Sequence, residues 1–239
     1  MGSGIYAALS GALSHQRQLE TTATNLANVS TDGYRAVRPV FHEVLSQIPT
    51  PRERTHFSVV RSTAIDTSRG PLKSTKRPLD VALGENSFLA VETPAGERYT
   101  RAGSLTLNAN GVLQTRTGHT VLSDTQEPIV IDSDQEVTIT PQGEVRAGKE
   151  GVAFLRIVRF EEARQMTYEG EGLLAAQAEA GAATASDELL EVGRLEQSNA
   201  SAVTAMTDLM TATRMFEAMQ RAISTFSSIN RRLVRTVPK

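Results

Sequence analysis

The sequence predicts an α+β protein: long N- and C-terminal helices that form a coiled coil, with a central β-rich domain between them. Parts of the helices left unpaired in a single copy are expected to order on assembly. Three observations lead there. A heptad-like apolar stripe fills the first 26 residues, a longer one runs over residues 195–233, and between them short apolar runs alternate with turn clusters.

Residues 1–34 read as a helix and its stop. Ile5, Leu9, Ala12, Gln16, Leu19, Ala23 and Leu26 recur in alternating steps of four and three, and six of these seven are apolar. Asn28, Thr31, Asp32 and Gly33 then supply turn chemistry, because short polar side chains compete for backbone donors and glycine accepts positive φ. Residues 35–78 read as an extended basic linker punctuated by Pro39, Pro49, Pro51, Gly70 and Pro71, with a short turn of helix around Phe41 to Leu45.

Residues 79–161 read as the β domain. Runs such as Phe88 to Val91 and Val152 to Phe160 lie between turns, with hairpins expected around Asn108 to Gly111 and Pro141 to Gly143. Residues 162–194 are acidic and rich in Ala and Gly, a composition expected to connect rather than pack. Residues 195–239 carry the strongest periodicity. Leu195, Ser198, Ala202, Ala205, Leu209, Ala212, Phe216, Met219, Ile223, Phe226, Asn230 and Leu233 alternate steps of three and four, ten of the twelve being apolar. The two striped segments should pair. The C-terminal stripe is longer by more than two heptads, so apolar surface is left for contacts with other copies.

Composition narrows the function. With 239 residues and 39% hydrophobic content the chain buries a core, built from Leu, Val, Ile and Ala because aromatics are 5% and Trp is absent. A net charge of −2 argues against a nucleic-acid coat. The balance conceals an asymmetry: residues 35–77 hold nine bases and three acids, a surplus of +6, whereas residues 161–196 hold nine acids and two bases, −7. There are no cysteines, which excludes disulfides, thiolate catalysis and thiolate metal sites. The start lacks a charged n-region and a continuous apolar core, so a cleaved signal peptide is not expected.

Three ordered blocks resemble the axial proteins of the bacterial flagellar rod and hook. "NLANVSTDGYR" (25–35) is similar to their N-terminal signature A-N-N-[IL]-A-N-x-x-T-x-G-[FY]-[KR]. "IDTSRGPLKSTKRPLDVAL" (65–83) and "ERYTRAGSLTLNANGVLQTRTGHTVL" (97–122) resemble the middle blocks, and "LEQSNAS" (195–201) with "TRMFEAMQRAI" (213–223) the C-terminal ones. Short length without a large inserted domain points to a rod member rather than the much longer hook.

The resemblance implies a non-enzymatic structural subunit of the flagellar basal body, without catalytic, cofactor-binding or metal sites. Its terminal helices would line a hollow axial tube in the periplasmic space. It would be exported unfolded, without a cleaved signal, by the flagellar type III export apparatus. Implied partners are other copies of the chain, neighbouring rod proteins and that apparatus, with no nucleic acid and no direct membrane insertion. The residues expected to serve assembly are Ile5, Leu9, Leu19, Leu26, Asn28, Gly33, Tyr34, Arg35, Leu195, Asn199, Leu209, Phe216, Ile223 and Phe226. Tyr34 and Arg35 are expected to dock the extended segment on the helix bundle or on a neighbour. Two rival classes remain open at this point: a cell-wall-acting enzyme using Asp80, Glu97, Asp124, Asp132 or Asp134 as acid and base, and a free adaptor that binds a helical partner.

Overall fold

A computed structural model describes residues 2–45, 56–132 and 135–236. The chain divides into two compact units. One comprises Met1–Leu26, Val37–Thr63 and Ala202–Lys239, and the other Ala27–Ala36 and Ala64–Ser201.

The first, helical unit contains α1 (Gly2–Ala27), α2 (Ala202–Thr236) and a pair of strands, β1 (Val37–Leu45) and β2 (His56–Ile65). The strands replace the linker and the short helical turn expected around Phe41 to Leu45. The physical reason is local: Val37, Val40, Phe41 and Val44 are β-branched or aromatic and favour a pleated backbone. On α2 the expected stripe is the covered one. Ala205 and Ala212 are buried, and Leu209, Phe216, Met219 and Ile223 are half-buried. On α1 the covered face matches the expected stripe in part: its Ala12 is buried and its Leu19 and Leu26 are half-buried, but its Leu9, Gln16 and Ala23 are exposed, while Ser14, Thr21 and Thr22 outside it are buried. The helices are neighbours at Gly11, where an added Cβ would lie 3.5 Å from the Met219 Sδ.

The second unit is β-rich. Its strands in chain order are β3 (Leu72–Ser74), β4 (Val81–Ala82), β5 (Ser87–Thr93), β6 (Gly96–Thr100), β7 (Leu105–Leu107), β8 (Leu113–Thr115), β9 (Thr120–Val121), β10 (Val137–Ile139), β11 (Glu144–Ala147), β12 (Glu150–Phe154), β13 (Ile157–Arg159), β14 (Thr167–Gly170), β15 (Leu173–Ala175), β16 (Thr184–Ala185), β17 (Glu191–Val192) and β18 (Arg194–Glu196). The largest sheet runs β14-β15-β6-β5-β9-β8-β7, with β13 on β5 and β16 on β13. A meander of β10, β11 and β12 and two short antiparallel pairs, β17 with β4 and β18 with β3, complete the unit. Both expected hairpins form, at β7–β8 and β10–β11. In the first, the Asn108 Oδ1 accepts the backbone N–H groups of Asn110 and Val112, which closes the turn. Val81, Leu83, Leu89, Val91, Leu105, Leu113, Val121, Val145 and Leu155 build a single core from strands of several sheets.

Two boundaries differ from the sequence expectation. The acidic stretch 162–194 packs: it supplies β14 to β17 and buries Met166, Leu173, Leu174, Ala180 and Leu190. Its few large apolar residues are spaced too sparsely among Ala, Gly and Glu to show a period. The C-terminal helix starts at Ala202, not at Leu195, which lies on β18. Ser198, Asn199 and Ser201 intervene, residue types whose side chains favour local backbone bonds over helix.

Candidate functional site

Residues 27–35, 65–83, 97–122 and 195–201 of the signature blocks lie in the β-rich unit, whereas 213–223 lies on α2 in the helical unit. The turn after α1 closes when Thr31 N–H and its hydroxyl donate to Asn28 O and Oδ1, at 3.1 and 3.2 Å. Gly33 follows with φ +69°, in the left-handed region. Its N–H donates to Glu196 O at 2.7 Å, and an added Cβ would overlap the backbone of Arg101 and Ala102. Glycine is therefore required on two counts, conformation and space.

Tyr34 is 1% exposed and meets Tyr168 edge to face, with ring centroids 5.2 Å apart. Burial raises its phenol well above the usual range, so it stays neutral. Arg35 is buried beside it, with Nη2 2.9 Å from Glu196 Oε1. This is an ion pair without hydrogen-bond alignment: Nε and both Nη atoms of Arg35 have no hydrogen-bond partner among the described residues. Burial pushes the guanidinium down to about 10, Arg101 adds to the shift, and Glu196 and Asp66 oppose it.

Arg101, at 1% exposure, completes a buried cluster of two guanidiniums around one carboxylate. Its Nε and Nη2 both donate to Glu196 Oε2, the former at 3.0 Å. Nη1 donates to the carbonyls of Glu85 and Ser87, and Nη2 also to that of Leu83. The guanidinium stands over the Phe88 ring. Burial lowers the Arg101 pKa and Glu196 raises it. Glu196 is the hub. Its Oε1 also accepts the Gly70 N–H at 2.9 Å, and β18 holds it in place by pairing with β3. So residue 35, strand block 97–101, residue 70 and residue 196 are joined through one carboxylate.

Asn199 performs the same service for the backbone. Its Oδ1 accepts Ala36 N–H at 2.7 Å, and its Nδ2 donates to the carbonyls of Asp66 and Ser68 at 3.0 and 2.9 Å. In the helical unit, Asn25 brackets Val37, accepting its N–H and donating to its carbonyl, both at 2.8 Å.

Of the residues expected to serve assembly, Asn28, Gly33, Tyr34, Arg35, Leu195 and Asn199 lie in the β-rich unit, where Gly33, Tyr34, Arg35 and Leu195 are buried. Tyr34 meets Tyr168 and Arg35 meets Glu196, both within the subunit's own β-rich unit. Ile5 lies on α1, where Leu9 is exposed and Leu19 and Leu26 are half-buried. On α2, Leu209, Phe216 and Ile223 are half-buried and Phe226 is exposed. Sequence reasoning passed over Arg101 and Glu196 as functional residues. Both stand inside quoted blocks, "YTRAG" and "LEQSN", but nothing in either block marks its charge as buried.

The carboxylates of the enzyme reading are dispersed among structural roles. Asp80 is buried, accepts the Ser104 hydroxyl and pairs with Arg77. Glu97 pairs with Arg156, and Asp124 and Asp132 are exposed. Asp134 lies outside the described residues. Among the described residues no group of His, Cys, Asp and Glu suits a metal ion, and no helix is long and apolar enough to cross a membrane.

Residues 5–35 match the family model described as flagella basal body rod protein, residues 82–147 that of the flagellar hook protein FlgE/F/G D1 domain, and residues 191–236 that of the flagellar basal body rod FlgEFG protein C-terminal. The flagellar basal-body rod protein FlgF of Escherichia coli K12 is 37% identical over 242 residues, covering 94% of each chain. The protein of the same name from Salmonella typhimurium LT2 is 35% identical over 240 residues, 94% of each. That of Mesorhizobium japonicum is 30% identical over 219 residues, 91% of this chain and 90% of its own. Identity at this level over nearly the whole length places the chain in the flagellar basal-body rod protein family.

Proposed function

We propose that this protein is the proximal rod protein of a bacterial flagellum, a non-catalytic axial subunit that polymerises through its terminal helices and transmits torque from motor to hook. The observation that carries this reading is the near end-to-end likeness to rod proteins named FlgF. The short chain without a large inserted domain favours the proximal over the distal rod protein, the alternative within the family.

The helical unit supplies a physical route to assembly. Val203, Met206, Met210 and Met215 of α2 and Leu9 and Leu13 of α1 are exposed, so apolar area remains to be covered. We infer that α1 and α2 complete a coiled coil with copies and kindred rod proteins. A head-to-tail contact whose rotation does not close winds such copies into a helical tube. Knobs-into-holes packing along the axis then resists twisting. Export through the flagellar type III apparatus without signal cleavage, and assembly in the periplasmic space, belong to the same reading, and a cysteine-free chain forms no cross-links in transit.

Leu209→Asp or Phe216→Asp places a charge on the half-covered seam of α2. A strain with either variant as its only copy should be non-motile, and electron microscopy should show basal bodies halted at the rod. Complete rods and normal swimming would overturn the proposed route.

A further inference from the structure

A groove of about 360 Å³ opens on the β-rich unit between residues 154–158 and 185–189. Phe154 and Leu189 form an apolar rim, 47% and 63% exposed. The polar lining is acidic. Asp124 and Asp187 line it without an ion pair to a described residue, Glu188 beside them accepts the Ser87 hydroxyl at 2.6 Å, and the lining cation Arg156 is already paired with Glu97 at 3.1 Å. The groove thus offers an aromatic wall, an aliphatic wall and a surplus of negative charge. Such a combination suits an extended segment with proline or aliphatic side chains followed by arginines.

The chain itself carries that chemistry. Residues 48–54 read IPTPRER: an isoleucine, two prolines one residue apart, then Arg52 and Arg54. This stretch lies outside the described residues and in the +6 segment 35–77, while Asp187 and Glu188 lie in the −7 segment 161–196. We propose that the groove receives the 48–54 segment of a second copy of the chain. Every subunit presents one groove and one segment, so the contact is heterologous and repeats head to tail. The inference rests on the axial-subunit reading and adds to it a second, polar contact outside the helical stripe. Because the contact is electrostatic in part, it guides the approach of an incoming subunit as well as holding it.

The absence of native cysteine makes the test direct. A strain carrying Thr50→Cys with Leu189→Cys as its only copy is treated with copper phenanthroline, and isolated basal bodies are run on non-reducing gels. The expected result is a ladder of linked copies from the double variant and none from either single variant. Adding Asp187→Lys should cut the linked fraction about tenfold, and adding Arg52→Asp to that should restore most of it. A band linked only within one chain, or no linking in basal bodies that contain the protein, would overturn the docking while leaving the rod assignment intact. Absence of the protein from basal bodies of a strain carrying the unmutated chain would overturn both.

Discussion

The β-rich unit buries Val81, Leu89, Leu105, Leu113 and Val145 completely, sets two interior arginines around one carboxylate and gives one of them, Arg101, backbone carbonyls as well. The helical unit leaves Val203, Met206 and Met210 mostly in solvent, and the buried positions of α1 are small or polar. One unit has a finished interior in a single chain; the other has an interior that further apolar partners would extend. The difference separates two jobs that a single signature disguises. Gly33, Tyr34 and Arg35 look like assembly determinants in sequence, yet their contacts close the β-rich unit on itself. The longest run of free apolar side chains, Val203, Met206, Met210 and Met215, belongs to α2.

The sharpest way to break this comparison is Glu196→Ala. It leaves Arg35 and Arg101 buried without their shared counter-ion and Gly70 N–H without its acceptor. Removing one member of a buried charge cluster costs about 3–5 kcal/mol. The urea midpoint, followed by the near-ultraviolet signal of the packed Tyr34–Tyr168 pair, should fall accordingly. Leu209→Asp on α2 should leave that midpoint where it was. A variant at Glu196 that melts like the unmutated protein would remove the cluster from the account of the unit's stability.

Gly33→Ala should cost nearly as much as Gly33→Val, on the order of 2–4 kcal/mol, because the first added carbon already meets the Arg101 backbone and the φ is +69°. Thermal unfolding of the pair decides it: a tolerated alanine would mean that the approach of the two backbones is loose. Next in size is Asn199→Ala, which strips an acceptor from Ala36 N–H and a donor from the carbonyls of Asp66 and Ser68, for about 1–3 kcal/mol. Asn199→Asp retains the acceptor but turns a second oxygen toward the carbonyls of Asp66 and Ser68, so its midpoint at neutral pH should fall at least as far as that of the alanine variant.

How much of this was legible follows from range. The stop at Asn28 to Gly33, the hairpins at Asn108 and Pro141, and the covered stripe of α2 depend on neighbours within a few residues, so turn chemistry and period expose them. The Arg101–Glu196 pair spans 95 residues, and neither member is unusual in its own block. The inward face of α1 escaped in part, for a different reason. Periodicity selects the most apolar stripe and so finds Ala12, whereas this helix also turns Ser14, Thr21 and Thr22 inward and keeps Leu9 outside. The strands at 37–45 and 56–65 were hidden by the prolines and charges around them, which dilute the β-branched signal.

The smallest effect has the opposite sign and marks where the sequence of the turn after α1 works against its stability. Burial raises the Asp32 carboxyl above its ordinary 3.8, with Asp80 adding to the shift and Arg116 and Lys73 opposing it. A carboxyl whose folded pKa lies above its unfolded one is penalised in the charged form, so the penalty is full above the folded value and vanishes below about 3.8. Asp32→Asn should therefore stabilise the protein at neutral pH, by no more than about 0.5 kcal/mol because the group is partly solvated and screened. The gain should shrink as pH falls through the raised pKa toward 3.8. Urea midpoints of the two proteins compared at neutral and acid pH give the sign directly. A gain that grows on acidification would mean that the charged carboxylate is favoured where it sits, and that the turn, like Glu196, draws stability from its negative charge.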